Sequence, residues 1–346
     1  MANHPLSLPR KFMMYPRRKS AIVTKGETLR PEGDLMATEE EHIDESGATG
    51  SNEATGPKPK GRPAVDMAMK QRLDMSCKKS MKVGTWNVRS MQSGKMDIIQ
   101  KEMGRMDIAI LGLCETRWKG KGHFRWNGFK IVMSGQEERG RNGVAIMCDR
   151  KSADAIMGYN TVSDRVLSVR FRGGRINTTI IQVYAPTAMA AEEEQEAFYL
   201  DLQGTIDTTP RGDILVIMGD FNAKVGEDRN GWEEVVGKYG LGVRNEAGER
   251  MLEFCDSNEL RIMNTWFEQP KRRLYTWTTP DGKHRNQIDY VLVNKRWKST
   301  IKDVRTRPGA DCGTDHEIIV ATLQLKLKKL KRGKRLTSFD CKGITP

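Results

Sequence analysis

The sequence predicts an α+β fold built on two packed sheets with helices outside. Short apolar or alternating runs of strand length recur from residue 82 to residue 327, divided by turn residues. Helical periodicity interrupts them only occasionally. Strict β-α-β alternation is missing, which argues against a doubly wound parallel sheet. No run reaches the roughly 18 to 20 apolar residues of a membrane-spanning helix, and the longest, such as 214–218, suit buried strands. At roughly 150 residues per domain, 346 residues make two domains, or one large domain with tails.

The elements follow in order. Residues 1–80 keep no period of 2 or 3.6. A basic start passes into Glu39, Glu40, Glu41, Asp44 and Glu45, then small residues, then Pro57-Lys58-Pro59-Lys60-Gly61-Arg62-Pro63. Such a segment cannot bury enough apolar surface to offset its ordering entropy. Disorder is expected over 1–80, with one short helix near 65–75. Order is expected from Met81. Residues 82–88 read as a strand containing Trp86. Met96, Ile99, Met103 and Met106 have helical spacing and predict a helix over 95–106. Strands are expected at 107–114, 129–133, 143–148, 166–171 and 176–184. A helix over 191–206 would turn Phe198, Leu202 and Ile206 to one face, and 214–218 reads as a buried strand. Asn245 can cap a helix over 246–257, with Glu249 near the reciprocal capping position. A short strand is expected at 261–264. Strands at 275–278 and 288–293 flank the turn residues Pro280-Asp281-Gly282-Lys283. Alternation over 318–327 closes the domain.

Charge is unevenly placed. The chain carries 58 Lys and Arg against 45 Asp and Glu, a net +13. Residues 323–346 alone hold +7, while the body over 81–322 holds only +3. A polyanionic partner fits this balance, but any contact made by the body must come from local patches. The cysteines Cys77, Cys114, Cys148, Cys255, Cys312 and Cys341 form no CxxC pair and no zinc spacing. The start is broken by Pro5, Pro9 and Pro16, which predicts neither a signal peptide nor the amphipathic helix of a transit peptide. Reduced thiols and a nuclear or cytoplasmic location are expected.

Four segments place polar groups beside predicted strands: Thr85-Trp86-Asn87-Val88, Leu113-Cys114-Glu115-Thr116, Met218-Gly219-Asp220-Phe221-Asn222 and Gly313-Thr314-Asp315-His316. Sites are commonly built where strand ends meet. Carboxylates, an amide and an imidazole there can serve a hard cation and supply a base. Mg²⁺ takes one or two carboxylates, keeps waters and completes its shell on substrate phosphate. Each segment also has a plain structural reading. Asn87 can form a turn, Glu115 can be a surface acid, Asp220 with Asn222 can make an Asx turn, and Asp315-His316 can cap a strand.

Taken together, the order of these segments resembles the endonuclease/exonuclease/phosphatase superfamily, which includes pancreatic-type DNases and abasic-site endonucleases. The full set is Trp86-Asn87-Val88, Cys114-Glu115-Thr116, Val183-Tyr184-Ala185-Pro186, Gly219-Asp220-Phe221-Asn222-Ala223, Gln287-Ile288-Asp289-Tyr290 and Thr314-Asp315-His316. Residues 85–89, 141–145, 182–186, 271–277, 284–291 and 307–312 resemble more closely the endonuclease domain of RTE-clade non-LTR retrotransposons, and vertebrate proteins derived from it.

The resemblance implies a four-layer α/β/β/α sandwich, DNase-like, over 81–327, between the extension and a basic tail over 328–346. It implies Mg²⁺-dependent cleavage of DNA phosphodiesters, with Mn²⁺ able to substitute. Glu115 would bind the metal with Asn87 beside it, and Asp315 would join that shell. Asp220 and Asn222 would orient or activate the attacking water and hold the phosphate. Tyr184 would contact the phosphate or support the water. His316 would sit on the phosphate, polarised by Asp289, and the base is assigned to Asp220 and His316 jointly. Abasic-site members often carry an Asp where this chain has Arg89, which bears on a second metal and on abasic specificity. The chain as it stands leaves no room for a reverse transcriptase, so nicking without retrotransposition is the expectation. A DNA- or chromatin-binding protein that kept the fold without strong catalysis is the rival reading, and a phosphatase of the same superfamily is a further one.

Three basic segments stand apart. Lys60-Gly61-Arg62-Pro63 resembles an AT-hook core, whose Arg62 would lie in a narrow minor groove, and reads equally as a solvated linker. Lys271, Arg272, Arg273 and Arg285 flank one hairpin and can touch DNA or simply face solvent. The tail residues Lys326, Lys328, Lys329, Lys331, Arg332, Lys334 and Arg335 read as a nuclear localisation signal, a phosphate-binding tail or a soluble cap.

Overall fold

The computed structural model describes residues 72–91 and 94–327. In chain order the elements are β1 (Met81–Asn87), α1 (Lys95–Met106), β2 (Ile110–Cys114), β3 (Lys121–Trp126), β4 (Phe129–Ser134), β5 (Val144–Cys148), α2 (Arg150–Asp154), β6 (Ile156–Thr161), β7 (Val166–Phe171), β8 (Thr178–Tyr184), α3 (Glu192–Thr208) and β9 (Ile214–Asp220). Then come α4 (Glu246–Ser257), β10 (Leu260–Ile262), β11 (Trp277–Thr278), β12 (Arg285–Asn286), β13 (Asp289–Asn294), β14 (Ile301–Thr306) and β15 (Ile319–Leu323).

Seven strands form one sheet in the order β14-β15-β1-β2-β5-β4-β3, and six form a second in the order β10-β13-β9-β8-β7-β6. The sheets pack face to face over Val83, Ile110, Val144, Ile180, Val216 and Val291. On the outer face of the first, Ile99, Met103 and Met106 of α1 meet Trp86, Leu111 and Leu113. Outside the second, α3 packs on β7 and α4 on β10, with Tyr199 and Phe254 joining the helices ring to ring at 5.1 Å. The result is the α+β, four-layer DNase-like sandwich.

Each sheet contains one parallel pair, β1 with β2 through α1 and β8 with β9 through α3. All four of these strands end at the same edge of the sandwich. The antiparallel partners β15 and β13 begin there, with Asp289 opposite Asp220. Register fixes three strand ends in each sheet, and packing of the sheets brings the two sets together, with Asn87 bonded to Asp220 and Tyr184 to Glu115.

Some elements differ from the sequence reading. Residues 107–109 are not strand: Asp107 ends α1 at φ +57°, and Ile108 N–H returns to Met103 O at 2.9 Å. Asn245 caps α4 by accepting from Gly248 N–H at 2.9 Å, while Glu249 pairs instead with Arg244. After Ile262 the chain turns into a 3-10 segment, Met263–Trp266, so no strand continues to 264. The turn around Gly282 joins β11 to the two-residue β12, whereas Asp289–Asn294 pairs with β9 and β10. On α3, Tyr199 and Thr205 are buried and Ile206 only half-buried. Residues 72–75 form no helix, yet Leu73 and Met75 are buried in the inter-sheet core, ahead of Met81. Strands β3, β6 and β14 and the short helix α2 carry no sequence expectation. Residues 1–71 and the tail from 328 lie outside the described residues.

Directly beneath the site edge, Gln182 on β8 crosses the inter-sheet layer. Its Nε2 donates to Thr85 Oγ1 and to Cys114 Sγ, each at 3.0 Å. Gly112 makes room for it, since a Cβ at that position would stand 1.6 Å from Gln182 Oε1. Gly112→Ala is expected to lower stability by about 1–3 kcal/mol, the usual range for overpacking. Adding Gln182→Ala should recover part of that loss, because the clash disappears. Urea unfolding of the two single variants and the double variant tests the coupling, and strict additivity would contradict it.

Candidate active site

Period-2 alternation sends Asn87 inward from β1, Tyr184 from β8, Asp220 from β9 and Asp289 from β13, each in line with apolar core residues below it. Asp220 is brought in by Gly219, whose φ is +149° and where a Cβ would stand 1.9 Å from Val183 O. Glu115 follows β2 at φ +53°, a left-handed conformation costing a non-glycine residue of order 1–3 kcal/mol. It turns the chain out of the strand and leaves the carboxylate at the mouth of the inter-sheet layer.

The side chains form one connected set. Asn87 Nδ2 donates to Glu115 Oε1 and to Asp220 Oδ2, both at 2.9 Å. Tyr184 Oη donates to the same Glu115 oxygen at 3.0 Å. His316 Nδ1 meets Asp289 Oδ2 at 3.0 Å, and its Nε2 stands 3.9 Å from Asp220 Oδ2. Asp220 and Asp289 are each 1% exposed and His316 7%. The His316 main chain is held from behind, because Trp86 Nε1 donates to His316 O at 3.0 Å. The plain structural readings coexist with this arrangement. Asp220 Oδ1 accepts from Asn222 N–H at 2.9 Å, and Asn87 Oδ1 accepts from Arg89 N–H at 3.0 Å, so each makes an Asx turn with one atom and faces the cluster with another. Asn222 itself reaches Ala185 O through its amide rather than the carboxylates.

Asp315 is held differently. Its Oδ2 accepts from Trp277 Nε1 at 3.1 Å and pairs with Arg89 Nη1 at 3.3 Å. Arg117, on the other flank, pairs with Glu115 Oε2 at 3.4 Å. Arg165 donates to Tyr184 O at 3.1 Å and lies over its ring. Arg117, Arg165 and Trp277 carry no site expectation from the sequence. Gln182 does have a legible signal, as a polar residue at an inward position of an otherwise apolar alternating strand. Lys271, Arg272 and Arg273 form a 3-10 turn with no buried residue, and exposed Arg285 lies 4.6 Å over the Tyr275 ring. Arg62 falls outside the described residues.

Burial sets the protonation. Desolvation, then the charge of Asp289, lifts Asp220 to about 7 despite the opposing pull of His316 and Asn87. Burial by itself would lower His316, but the Asp289 carboxylate, its hydrogen bond and the nearby Asp220 outweigh burial and raise it to about 9. Burial, followed by Glu115 and Asp220, pushes the Tyr184 phenol far up, so it remains a donor.

The donor set fits a hard divalent cation. The available groups are carboxylate oxygens, and Asp289 Oδ1 and Asp315 Oδ1 are buried without any partner, an arrangement that calls for a cation or water. Among the described residues, the tightest group of ligand atoms is Asp220, Asp289 and His316, all within 4.8 Å. Within that group His316 Nδ1 is already engaged by Asp289.

Residues 84–316 match the endonuclease/exonuclease/phosphatase family, and the chain belongs to it. It is 45% identical to craniofacial development protein 2 of Bos taurus over 325 residues, which is 94% of this chain and 55% of that protein. The same-named protein of Tragulus javanicus is 44% identical over 318 residues, covering 92% of this chain and 55% of the relative. The chain thus spans about half the length of these relatives. Among solved structures, the endonuclease domain of TRAS1, a telomere-specific non-LTR retrotransposon, is similar at a TM-score of 0.54 and 15% identity, over 71% of this chain and 99% of that domain. An AP endonuclease from Archaeoglobus fulgidus matches at 0.55 and 18%, over 71% of this chain and all of that one. A 3′ phosphatase from Neisseria, bound to a product DNA hairpin, matches at 0.54 and 22%, over the same shares. These structures share the fold.

Both raised groups bind protons more tightly folded than unfolded. Their stabilising effect is full below the ordinary value of each group and is lost as pH rises, through about 7 for Asp220 and about 9 for His316. In chelator, the melting temperature should therefore fall between pH 6.5 and 9. His316→Asn should flatten that fall. Melting curves that stay parallel for the two proteins across this range would contradict the assignment.

Proposed function

We propose that this chain is a divalent-metal-dependent DNA endonuclease that nicks by phosphodiester hydrolysis and derives from a retrotransposon. The observation that carries the reading is the Asn87 amide joining Glu115 and Asp220 across the two sheets, beside the buried Asp289–His316 pair. Family membership and the nuclease folds of the solved neighbours support it.

Glu115 and Asp315 would hold Mg²⁺ or Mn²⁺, with Asn87 setting the position of Glu115. When bound, the cation supplies positive charge against the phosphate oxygens. Asp220, poised near neutrality, accepts a proton from water as the water oxygen bonds to phosphorus. The P–O bond to the departing sugar oxygen breaks, and that oxygen takes a proton from solvent. Charged His316, held by Asp289, offers Nε2–H to a phosphate oxygen, where negative charge grows. Tyr184 keeps Glu115 oriented, and Asn222 fixes the turn that aims Asp220. DNA is the partner and the nucleus the location in this reading. Among the described residues no helix is long and apolar enough to cross a membrane.

One observation favours a second reading, a DNA-binding protein with weakened catalysis: Arg89 already places a cation 3.3 Å from Asp315. Supercoiled plasmid separates the two. Nicking with Mg²⁺ or Mn²⁺ and none with chelator is expected of the endonuclease. Asp220→Ala and His316→Ala should each slow it by at least about a hundredfold, the scale of lost base or electrostatic catalysis, with circular dichroism unchanged. Plasmid bound but never nicked would favour the second reading, and nicking untouched by chelator would remove the cation.

A further inference from the structure

A second group of charges lies apart from the carboxylates, at the free edge of β14. This strand ends at the same sandwich edge as the site, since Thr306 pairs with Ile319 and Arg307 N–H reaches Ile318 O at 2.9 Å. Val304 lies in the inter-sheet core, so alternation puts Asp303, Arg305 and Arg307 on the opposite, outer face. Nothing pairs with β14 on its far side among the described strands. The chain segment before the hairpin runs along that side instead, tied by Gln269 Nε2 to Asp303 Oδ1 at 3.1 Å. Arg273, four residues further on, is near enough for its charge to act on Arg307.

The group is cation-rich, and its acids are already engaged. Asp303 serves Gln269 and also Arg305, at 2.5 Å. Glu102 serves Arg105 at 2.5 Å. Among the described residues Arg307 has no ion pair, and its Nε is buried without a hydrogen-bond partner. Burial, then the positive charges of Arg305, Arg273 and Arg105, lower its guanidinium below the usual arginine value, with only Asp303 opposing. A planar guanidinium with an unsatisfied N–H among like charges favours an anionic partner. The oxygen-rich, bidentate partner that guanidinium groups match best at such a place is phosphate.

We propose that Arg273, Arg305 and Arg307 bind a phosphate of the nucleic-acid backbone, on the β14 side of the cleaved position. This rests on the endonuclease reading for the identity of the nucleic acid, but not for the existence of the anion site. It also assigns Arg273 alone of the three consecutive basic residues to this contact, through its nearness to Arg307.

The test uses the full chain in chelator, where binding is measured without cleavage. Wild type, Arg307→Gln and Arg273→Gln are titrated with a duplex at several salt concentrations. Each lost phosphate contact should reduce the slope of log K against log salt by roughly 0.9. Arg307→Lys, which keeps the charge, should retain most of the slope. In parallel, inorganic phosphate at fixed ionic strength should raise the melting temperature of wild type more than that of Arg307→Gln. Unchanged slopes in folded Arg307→Gln and Arg273→Gln would overturn the proposal. Phosphate protection through Arg307 with an unchanged DNA slope would overturn it too, because the site would then serve free phosphate only. Should Arg307→Gln fail to fold, Arg273→Gln, on a separate segment, decides by itself. Failure of the endonuclease reading is seen separately, as plasmid left intact with metal present.

Discussion

The site depends on one amide. Asn87 gives one N–H to Glu115 of its own sheet and one to Asp220 of the other, both at 2.9 Å. Two carboxylates aimed into one buried space repel each other and resist desolvation. A neutral double donor between them offsets both effects without adding a charge of its own. Its remaining oxygen is taken by Arg89 N–H, which fixes the amide orientation by elimination, since only the NH₂ is left to face the acids. Neither Asp nor Leu at 87 could do this. The first would add a third negative charge, and the second would leave Asp220 buried beside Asp289 with one donor fewer.

This arrangement is the upper end of a gradient that runs along the inward faces of the strands. Val83, Thr85 and Asn87 succeed one another on β1, and Ile180, Gln182 and Tyr184 on β8. On β9 the sequence is Val216, Met218 and Asp220. Apolar packing gives way to a satisfied hydrogen-bonded layer, and that layer to titratable groups. Gln182 is the hinge of the gradient: it joins Thr85 to Cys114, so its amide is not left unpaired between two hydrophobic sheets. A buried polar layer of this kind must be complete to be tolerated, and Gly112 gives up its side chain to complete it. Asn87, Tyr184, Asp220 and Asp289 are thereby mounted on strands rather than on loops.

Those features that obey a period were legible in the sequence. Asn87, Glu115, Asp220 and Asp315-His316 stood out as polar residues beside apolar strand runs, and the helix over 95–106 followed from its methionine and isoleucine spacing. Tyr184 and Asp289 needed the family resemblance, because one polar residue within a strongly apolar strand run is not by itself the mark of a site. Edge strands escaped for a different reason. β3 and β6 bury almost nothing, and β14 carries Lys302, Asp303 and Arg305 around a bulge, so none has a hydrophobic signal. The hairpin was misassigned because the apolar run 288–293 is so much stronger than Arg285-Asn286. Register with β9, a long-range property, decided the pairing. Arg117 and Arg307 could not be singled out from composition, since their significance lies in which charges surround them.

Charge placement explains how a body of low net charge can face a polyanion. The acids Glu115, Asp220, Asp289 and Asp315 are drawn together at the strand ends, and they would repel DNA if left bare. His316, raised to about 9 by Asp289 and Asp220, offsets one of them at neutral pH, and Asp220 sheds part of its charge through its own upward shift. Arg89 and Arg117 cover Asp315 and Glu115 from the rim at 3.3 and 3.4 Å, with side chains 52% and 50% exposed. Ion pairs that long and that exposed are worth little. On the endonuclease reading they would be given up to a stronger cation, which would leave each arginine free at the mouth of the cleft. On this argument Arg89 is a weak guard on Asp315 rather than a replacement for a metal ion. Trp277 makes the more durable restraint, because its indole N–H holds the same oxygen from a strand bridged to His316.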